Sequence, residues 1–532
     1  MMQFAQSLVQ IHYHDRIGGV RRVMHEYSEA FAQIAGSDAP NYRICSRSGA
    51  WSCTCGGFID MPDADYHCYR SAAALRRDTV RLTRQLLSCI ESLPLRFPAA
   101  IIGHNLNLGK NPALSAAFRN CARMLGADSG RMRFYSVMHD FVEAGRMDLL
   151  SMLKSLARQG ADPYPGLYCT GAPVRFIVPD RLGKIITGLG ADSLTVLPHP
   201  VRQLPFKGGS FSSAQSLRER LAGIARSDNM RFDPQKRLYL YPSRMIHRKN
   251  VLEALLVATV ICDGALATGP CGGNAQDRRL MKQTVDIARR FDLSFVTDVA
   301  RISGADGHPV GQVSPFTSLY RAAWAVISTS TNEGYGFSLV EPWLYGRGVI
   351  GRRPAGTAFA PGVGTASLYD RLPVPAEWVS LRECFIRIKR TYVQAFARPY
   401  ISFEKFRSAT AGDGTVDFAL LDGSAQADIV ARVLRSDADR ADMCALLSRE
   451  RPGLSGFAPP DAQNVALAAN AVREWSSEGF RKDFVKCLSA SAAPPDAKWF
   501  LKIGAYWRAV QRFEPPMRRT LAGRGRKVYD IS

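Results

Sequence analysis

The chain has 532 residues, of which 46% are hydrophobic and 22% are charged. These proportions are typical of a globular protein and exclude a disordered or fibrous chain. The 69 Lys and Arg residues outnumber the 47 Asp and Glu residues, which gives a formal net charge of +22. Such an excess favours an acidic partner, namely nucleic acid, an anionic membrane surface or a phosphorylated small molecule.

Targeting and cysteine signals are weak. The first residues carry no basic segment followed by an apolar one, so we expect no signal peptide. The longer apolar runs fall far short of the ~18 residues that span a bilayer. Twelve cysteines are scattered, and neither Cys53 with Cys55 nor the adjacent His67 and Cys68 has the usual spacing of zinc ligands. We therefore expect reduced thiols, a cytoplasmic protein and no structural metal.

Short apolar runs alternate with longer amphipathic stretches, a pattern that predicts parallel βα units. The predicted strands are Ser7–Tyr13, Ala99–Gly103, Phe134–His139, Leu194–Pro198, Leu238–Ser243, Leu293–Thr297, Ala325–Ser330 and Gly348–Gly351. The predicted helices include Arg21–Ile34, Ser71–Leu93, Val251–Cys262, Glu383–Phe396 and Val465–Leu488. Parallel strands need crossover connections, and helices on both faces produce a doubly wound α/β sheet.

A change of composition suggests where the domains divide. A stretch rich in Pro, Gly and Ser begins near residue 197 and precedes a new strand at Leu238. It predicts an N-terminal domain over residues 1–205, a linker over 206–235 and a second domain over 236–490. The tail, 491–532, is basic with interleaved aromatic residues.

The most specific motif lies within residues 325–351, which read as strand, Gly-rich loop, helix and second strand. Glu333 lies in the loop, and Glu341 follows eight residues later in the first turns of the helix. Gly334 and Gly336 would let a ligand approach the backbone closely. Two carboxylates around such a loop suit a polyhydroxylated ligand, because each can accept two hydroxyl hydrogen bonds.

Two interpretations of the start of this helix remain open. The amides of residues 335–338 would face a bound anion from a helix N-terminus. Alternatively, Ser338 and Glu341 form a capping box, which needs no ligand.

This stretch resembles the glutamate-x7-glutamate signature of the retaining, nucleotide-sugar-dependent glycosyltransferases of family 4, which have the GT-B fold. The resemblance implies two Rossmann-like domains that face each other across a cleft, with the nucleotide mainly on the second. It also implies that Glu341 accepts hydrogen bonds from ribose hydroxyls and Glu333 from sugar hydroxyls. The other donor-binding positions implied in the loop are Gly334, Tyr335, Gly336, Phe337 and Ser338. Tyr335 stands where the family usually has Phe, and Pro342 where it usually has Ala.

A second motif, LYLYPSRMIHRKN, covers residues 238–250 and carries Arg244 and Lys249. It resembles the family's Arg-x4-Lys pair, which binds the donor diphosphate. A departing diphosphate gains negative charge, and two fixed cations in a partly dry cleft would stabilise it without a metal. The alternative is that both are solvated loop charges, while Asn250 and Glu253 only cap the next helix.

Three further positions follow predicted strands, where ligands bind in open α/β sheets. Gly18 and Gly19 resemble the family's first glycine loop, which binds the donor and lines the cleft near its phosphates and the acceptor, although such a pair can also mark a tight turn. His139 matches a histidine that contacts the donor sugar in the family, and the alternative is a satisfied structural histidine. His104 and Asn105 are candidates for the acceptor side.

Over roughly residues 8–430 the chain also resembles a bacterial subset of the family that includes mannosylglucosylglycerate synthases. Segments such as HYHDRIGGV and HDFVEAGR carry this resemblance. It favours a GDP-mannose or UDP-glucose donor and implies retaining transfer of a hexosyl unit to a hydroxyl acceptor. The acceptor would be a carbohydrate, a small hydroxylated molecule or a lipid-linked one, with no cofactor and no metal. The implied catalytic residues are His139, Glu333, Arg244 and Lys249.

Three other function classes are alternatives to a glycosyltransferase. A nucleic-acid binder is disfavoured, because the charge is spread along the chain and no zinc-finger, RNP or helix-turn-helix signal stands out. A catalytically silent GT-B protein that serves as a partner or scaffold is the main alternative, and a sugar-phosphate synthase or phosphorylase of the same fold is another. In the tail, residues 499–507 are predicted to pack on the first domain. Arg518–Lys527 are alternatively expected to rest on the anionic inner face of the plasma membrane.

Overall fold

A computed structural model describes most of the chain. The described residues are 3–16, 18–47, 57–126, 131–144, 146–179, 184, 187–190, 192–201, 214–273, 275–304, 315–333, 335–354, 367–396, 398–451, 462–474, 479–490, 501 and 503. Several predicted features therefore lie outside them, namely Cys53 and Cys55, Gly334 in the Gly-rich loop, the segment 499–507 apart from residues 501 and 503, and the basic segment Arg518–Lys527.

The described residues fold into two compact units. The first contains residues up to 200, together with those of 391–399 and 474–503. The second contains those of 201–390 and 400–473.

A seven-stranded parallel sheet forms the centre of the first unit, in the order β3-β2-β1-β4-β5-β6-β7. Its strands are β1 (Ser7–His14), β2 (Asn41–Ser46), β3 (Gly57–Asp60), β4 (Ala99–His104), β5 (Met132–Val137), β6 (Val174–Val178) and β7 (Leu194–Val196). All six residues of β4 are buried, as expected for a central parallel strand covered on both faces.

The second unit contains a six-stranded parallel sheet in the order β10-β9-β8-β11-β12-β13. Its strands are β8 (Leu238–Tyr241), β9 (Ala265–Thr268), β10 (Phe295–Val296), β11 (Ala325–Ser328), β12 (Gly348–Arg352) and β13 (Ser367–Tyr369). A separate antiparallel pair is formed by β14 (Pro373–Pro375) and β15 (Thr415–Asp417).

Helices connect these strands or follow the last of them, β15. They are α1 (Gly19–Ala35), α2 (Ala72–Glu91), α3 (Pro112–Leu125), α4 (Met147–Arg158), α5 (Tyr164–Leu167), α6 (Ala214–Ser227), α7 (Val251–Leu255), α8 (Ala275–Arg290), α9 (Pro315–Ala322), α10 (Phe337–Val340), α11 (Leu381–Phe396), α12 (Phe403–Ala411), α13 (Gly423–Arg435), α14 (Asp437–Glu450), α15 (Ala462–Glu474) and α16 (Phe480–Ser489). Helix α7 continues as a π-helical turn, Leu256–Ile261, and α10 as a 3-10 turn, Glu341–Tyr345.

Both sheets have the strand order of a Rossmann fold, in which the chain starts at a central strand, winds outward and then restarts on the other side. The order reverses between β1 and β4 in the first unit and between β8 and β11 in the second. Ligands of such sheets bind outside the carboxyl ends of the strands at that point. The prediction of two Rossmann-like parallel sheets is therefore confirmed.

All eight predicted strands are present, with different ends. The strand predicted over Phe134–His139 ends at Val137, so His139 lies in the loop beyond it. The stretch predicted as one helix over Val465–Leu488 is divided between α15 and α16.

The predicted end of the second domain at residue 490 differs from the structure, because α16 belongs to the first unit. Its Phe480 and Phe484 rings lie 5.9 and 5.1 Å from the Tyr27 ring of α1. Arg133 of β5 also donates a hydrogen bond to the Leu488 carbonyl, at 3.0 Å. Aromatic packing on α1 thus joins this late segment to the first sheet. Further along, the buried Ile503 belongs to the same unit.

The predicted linker over 206–235 also needs correction. Residues 202–213 lie outside the described part of the chain, but α6 occupies the middle of this segment. Leu217 and Leu221 of α6 are buried, since they repeat at helical spacing and face the second unit's interior.

Gly351 provides a test of the packing between β11 and β12. Its φ is 126°, and an added Cβ would lie 2.2 Å from the Ser328 carbonyl oxygen. We expect Gly351→Ala to lower the free energy of unfolding by about 1–3 kcal/mol, because both the conformation and the contact are unfavourable. In the control Gly223→Ala on α6, where nothing lies within 4 Å of the new Cβ, the free energy should rise by about 0.5–1 kcal/mol. Urea unfolding measures both, and an unchanged stability of Gly351→Ala would contradict the register.

Candidate functional site

The carboxyl ends of β8 and β11 carry the two charged motifs of the second unit. These strands are neighbours in the sheet, and the segment after β8 carries Arg244 and Lys249. The segment after β11 carries Glu333. The structure therefore brings the predicted cations and the first predicted glutamate to one edge of the sheet, at its switch point.

Lys249 and Glu333 form a buried ion pair. The Lys249 Nζ donates to Glu333 Oε1, and Arg248 Nη1 lies 3.9 Å from Glu333 Oε2. The Lys249 and Glu333 side chains are 13% and 7% exposed. Burial alone would raise the pKa of Glu333, but the two cations outweigh it and lower that pKa. Glu333 is therefore an ionised acceptor at neutral pH.

Burial also acts on the lysine, whose pKa is lowered mainly by desolvation and only partly restored by Glu333. Arg244 carries its charge nearby on an exposed side chain and forms no ion pair within the described ranges. Lys249 is therefore not a solvated loop charge, whereas Arg244 is exposed and available to an anionic ligand.

Backbone hydrogen bonds fix the position of Lys249. Its carbonyl oxygen accepts from the Tyr241 hydroxyl at 2.6 Å and from the Thr329 hydroxyl at 3.1 Å. The Thr329 hydroxyl also contacts the Asn250 carbonyl oxygen, at 2.9 Å. Since Tyr241 ends β8 and Thr329 follows β11, the lysine is anchored to both strands.

A buried network lies behind this turn. Arg352 donates to Glu253 through Nε and Nη2, at 3.0 and 2.7 Å, and to Asp417 through Nη1 and Nη2, at 2.8 and 2.7 Å. The Tyr369 hydroxyl donates to Glu253 Oε1 at 2.8 Å. Two bidentate pairs satisfy the guanidinium in the interior, where a single unpaired charge would be very unfavourable.

Asn250 connects the network to Lys249. Its Nδ2 donates to Glu253 Oε2 at 2.5 Å, and its Oδ1 accepts from Gln426 Nε2 at 2.9 Å. The residue has a left-handed backbone, with φ of 58°, and its side chain makes no capping hydrogen bond. The alternative that Asn250 and Glu253 merely cap α7 is therefore wrong.

The Gly-rich loop begins α10 without a side-chain cap. Gly336 is the N-cap residue, with φ of 88°, and Ser338 lies inside the helix with its Oγ 3.2 Å from Ser328 Oγ. The predicted capping box is thus wrong, because Ser338 does not occupy the N-cap position. Tyr335 is buried, and its ring lies 5.0 Å from that of Phe337.

Glu341 opens the 3-10 turn after α10 and is 7% exposed. Its Oε2 accepts from the Tyr320 hydroxyl at 3.3 Å. The Tyr320 ring stacks on Tyr345, with centroids 4.8 Å apart and planes 7° apart. Glu341 is therefore placed by an aromatic pair of α9 and the turn, and not by Lys249.

In the first unit, the glycine pair opens α1. Gly18 is exposed, its φ of 165° is extended, and an added Cβ would have nothing within 4 Å. Gly19 is the exposed first residue of the helix. The backbone at Gly18 therefore does not require glycine.

Four histidines are buried near the carboxyl edge of the first sheet, and their positions link the predicted His139 to the predicted His104. The His104 Nδ1 lies 3.2 Å from His139 Nε2, and His139 Nδ1 lies 2.7 Å from His199 Nε2. His12 Nδ1 lies 2.7 Å from the His104 carbonyl oxygen. Asn105 holds His139 from another side, because its Oδ1 accepts from the His139 backbone N–H at 3.1 Å.

Burial keeps these imidazoles neutral. It lowers the pKa of His12 and of His199 to about 3, and it lowers those of His104 and His139 well below the ordinary value. The sequence analysis did not include His199 or His12 among the site residues. The LPHPV segment, which follows β7, was the available signal for His199.

The described parts of the chain have three further properties. No group of three or more His, Cys, Asp or Glu side chains there could hold a metal ion. None of the helices described above has both the length and the apolar character needed to cross a bilayer. The described cysteines are free thiols.

The buried histidines predict an acid-sensitive first unit. Their pKa values are about 6.5 when unfolded and about 3 when folded for His12 and His199, so the unfolded chain binds more protons within this range. Lowering the pH from 7 to 5 should therefore reduce the free energy of unfolding by about 2 kcal/mol for each such histidine. His12→Asn, which keeps a donor at the Nδ1 position, should remove about 2 kcal/mol of that loss. Urea unfolding at both pH values tests this, with exposed His67→Gln as the unaffected control.

No protein-family model matches the chain. Among curated proteins it is similar to the mannosylglucosyl-3-phosphoglycerate synthase of Petrotoga mobilis, with 23% identity over 381 residues, covering 69% of each chain.

Similar solved structures include WaaG, a glycosyltransferase involved in lipopolysaccharide biosynthesis, with a TM-score of 0.46 and 11% identity, covering 90% of this chain and 98% of that one. Another is Anabaena HepE in complex with UDP and glucose, with a TM-score of 0.46 and 12% identity over 87% and 97% of the two chains. These distant likenesses imply nothing about activity. The curated relative and the two Rossmann-like sheets confirm the resemblance to GT-B glycosyltransferases that the motifs predict, and with it the prediction of a transferase.

Proposed function

We propose that this chain is a retaining glycosyltransferase that moves a hexosyl unit from a nucleotide diphosphate sugar to a hydroxyl acceptor. The observation that carries the proposal is the Lys249–Glu333 ion pair at the switch point of the second sheet. It supplies a cation for a diphosphate and an ionised carboxylate for sugar hydroxyls at one location. The name of the Petrotoga mobilis relative, a synthase with a mannosylglucosyl product, supports hexosyl transfer.

The cations would bind and activate the leaving group. Arg244 is exposed and without an ion pair within the described ranges, so a diphosphate would gain its charge without breaking an existing pair. Lys249 would share its ammonium between Glu333 and a phosphate oxygen. Because negative charge on the diphosphate grows as the glycosidic bond breaks, both contacts strengthen in the transition state and accelerate the reaction.

The carboxylates would orient the donor. Glu333 is held ionised by Lys249 and Arg248, so it accepts hydrogen bonds from two neighbouring sugar hydroxyls. Glu341 would accept from the ribose hydroxyls, with its second oxygen fixed by Tyr320. Front-face attack would let the leaving diphosphate oxygen take the acceptor proton, so no glycosidase-like pair of carboxylates is required.

The acceptor side is assigned to the first unit. The exposed Gly18 and Gly19 leave room for a ligand beside α1, and the acceptor-side candidates His104 and Asn105 lie at the carboxyl edge of the same sheet. A hydroxylated small molecule, a carbohydrate or a lipid-linked sugar would meet this surface.

We propose GDP-mannose or UDP-glucose as the donor. We also propose that no metal is required, because Arg244 and Lys249 supply positive charge for the diphosphate. A thermal-shift and hydrolysis screen against UDP-, GDP- and ADP-sugars, with and without EDTA, identifies the donor and tests the metal. Binding without any turnover across acceptors would instead favour a catalytically silent partner protein.

Replacing the buried lysine tests the site directly. We expect Lys249→Ala to reduce kcat for sugar transfer by at least about 100-fold, because the leaving diphosphate loses a fixed cation. Lys236→Ala is the matched control, since Lys236 forms an ion pair with Asp263 at 2.6 Å elsewhere in the same unit. Thermal melting confirms that both variants fold. Full activity of Lys249→Ala would reject the assignment of this site.

The basic tail provides a separate prediction. The segment Arg518–Lys527 would hold the enzyme at the anionic inner face of the plasma membrane. We expect the full chain, but not a chain ending before Pro515, to co-sediment with vesicles that contain phosphatidylglycerol. Equal sedimentation of the two would exclude a role for the tail.

A further inference from the structure

We infer that His104, His139 and His199 form an ordered chain of neutral imidazoles, each protonated on Nε2, and that Gln10 sets this order. All four side chains belong to the first unit. The order of the protons follows from the hydrogen bonds of buried, neutral rings and does not depend on the proposed function. The consequence of this order for sugar transfer does rest on the proposed function.

The order begins at the Gln10 side chain on β1. Its Nε2 lies 2.9 Å from the Met24 carbonyl oxygen and 2.8 Å from Ser28 Oγ. Because a carbonyl oxygen can only accept, the Gln10 amide nitrogen must face it. The Gln10 Oε1 therefore faces His104 Nε2, at 3.0 Å. An amide oxygen also only accepts, so His104 carries its proton on Nε2.

The second ring follows from the first. His104 is fully buried, and desolvation, His139, His12 and the positive charge of Arg43 all lower its pKa, so the ring is neutral. A neutral imidazole protonated on Nε2 has an acceptor at Nδ1. The His139 Nε2, 3.2 Å from that atom, must therefore donate.

The third ring follows in the same way. Desolvation, His199 and His12 keep His139 neutral, so its Nδ1 accepts. The His199 Nε2 at 2.7 Å is the donor, and the unprotonated nitrogen of His199 is Nδ1. The imidazole N–H groups of His104, His139 and His199 thus all point toward Gln10.

His12 supplies an internal reference with the opposite tautomer. Its Nδ1 lies 2.7 Å from the His104 carbonyl oxygen and must donate to it. Desolvation and the nearby His14 and Lys110 lower its pKa, so Nε2 carries no proton. Four neighbouring buried histidines therefore divide into three Nε2–H rings and one Nδ1–H ring.

The order limits what His139 can do in the proposed transfer. Both of its ring nitrogens are engaged by other histidines, so it is neither a general base nor a cation at neutral pH. Gln10, His104 and His199 act through His139 as positioning residues that hold its ring plane and its tautomer. Sugar contacts by His139 would then use the ring's carbon edge, in a fixed orientation.

Nitrogen NMR tests the order without any substrate. The protein is labelled with 15N-histidine, and its nine histidines are assigned with His199→Gln and His12→Asn, which keep a donor at the Nε2 and Nδ1 positions. At pH 7 we expect the Nε2–H pattern for His104, His139 and His199 and the Nδ1–H pattern for His12. An Nδ1–H or doubly protonated His139 would overturn the inference.

Two variants test the role of Gln10. Gln10→Leu removes the acceptor for His104, so we expect His104 and His139 to populate both tautomers. Ser28→Ala is the matched control, because it removes another contact of the Gln10 amide but keeps Oε1 in place. A folded Gln10→Leu protein with unchanged tautomers would contradict the assignment of Gln10. If Gln10→Leu does not fold, Gln10→Glu decides, since a carboxylate there should make His104 doubly protonated at pH 7.

Kinetics separates this inference from the proposed function. In sugar transfer we expect Gln10→Leu to lower kcat by about tenfold while KM for the donor stays within about twofold, because the ring is misoriented but donor contacts remain. Gln10→Glu should add a pH dependence between pH 6 and 8 that the unmodified enzyme lacks. If the tautomers are as expected but the protein has no transferase activity, the proposed function is rejected and the order of the imidazole protons still holds. An unchanged kcat and pH profile in both variants would reject the positioning role.

Discussion

Lys249 and Glu333 come from segments that follow different strands, and their side chains nevertheless meet in one buried ion pair. Neither charge could be buried alone, because an isolated ion in the interior is far less stable than in water. The pair therefore requires that β8 and β11 remain neighbours and that both loops keep their course. Tyr241 and Thr329 satisfy this requirement through the Lys249 carbonyl oxygen. The second unit's site thus depends on this ion pair and on the hydrogen bonds that hold the two loops together, such as that from Arg248 to the Asn332 carbonyl oxygen.

In the first unit, neutral histidine side chains are buried at the carboxyl edge of the sheet. Its carboxyl edge buries imidazoles that remain uncharged, so that hydrogen-bond direction and not charge orders the side chains. The second unit thus orders its site with an ion pair, whereas the histidines of the first unit are ordered by hydrogen bonds between neutral rings. The formal excess of +22 contributes few groups to either site, and most of it remains solvated surface charge.

The sequence analysis anticipated the parts of the fold that have a local signal. The parallel strands with apolar runs and the glutamate and arginine–lysine motifs are contiguous in sequence, and their periodicity or spacing indicates them. Among the strands that the structure describes, the prediction missed seven, namely β2, β3, β6, β9, β13, β14 and β15. It also missed the network of Arg352 with Glu253 and Asp417. Those three residues are 99 and 65 positions apart, so no spacing could pair them. It also predicted two helix caps from local patterns, which tertiary contacts of Asn250 and Ser338 override.

Position 250 imposes two conditions on its residue, one on the backbone conformation and one on the side chain. Its backbone conformation favours Gly, Asn or Asp, while its side chain must donate to Glu253 and accept from Gln426. Glycine has no side chain to offer, and aspartate would place a second carboxylate against Glu253. Asparagine satisfies both conditions, so a single side-chain amide joins the turn that carries Lys249 to Glu253 of α7 and Gln426 of α13.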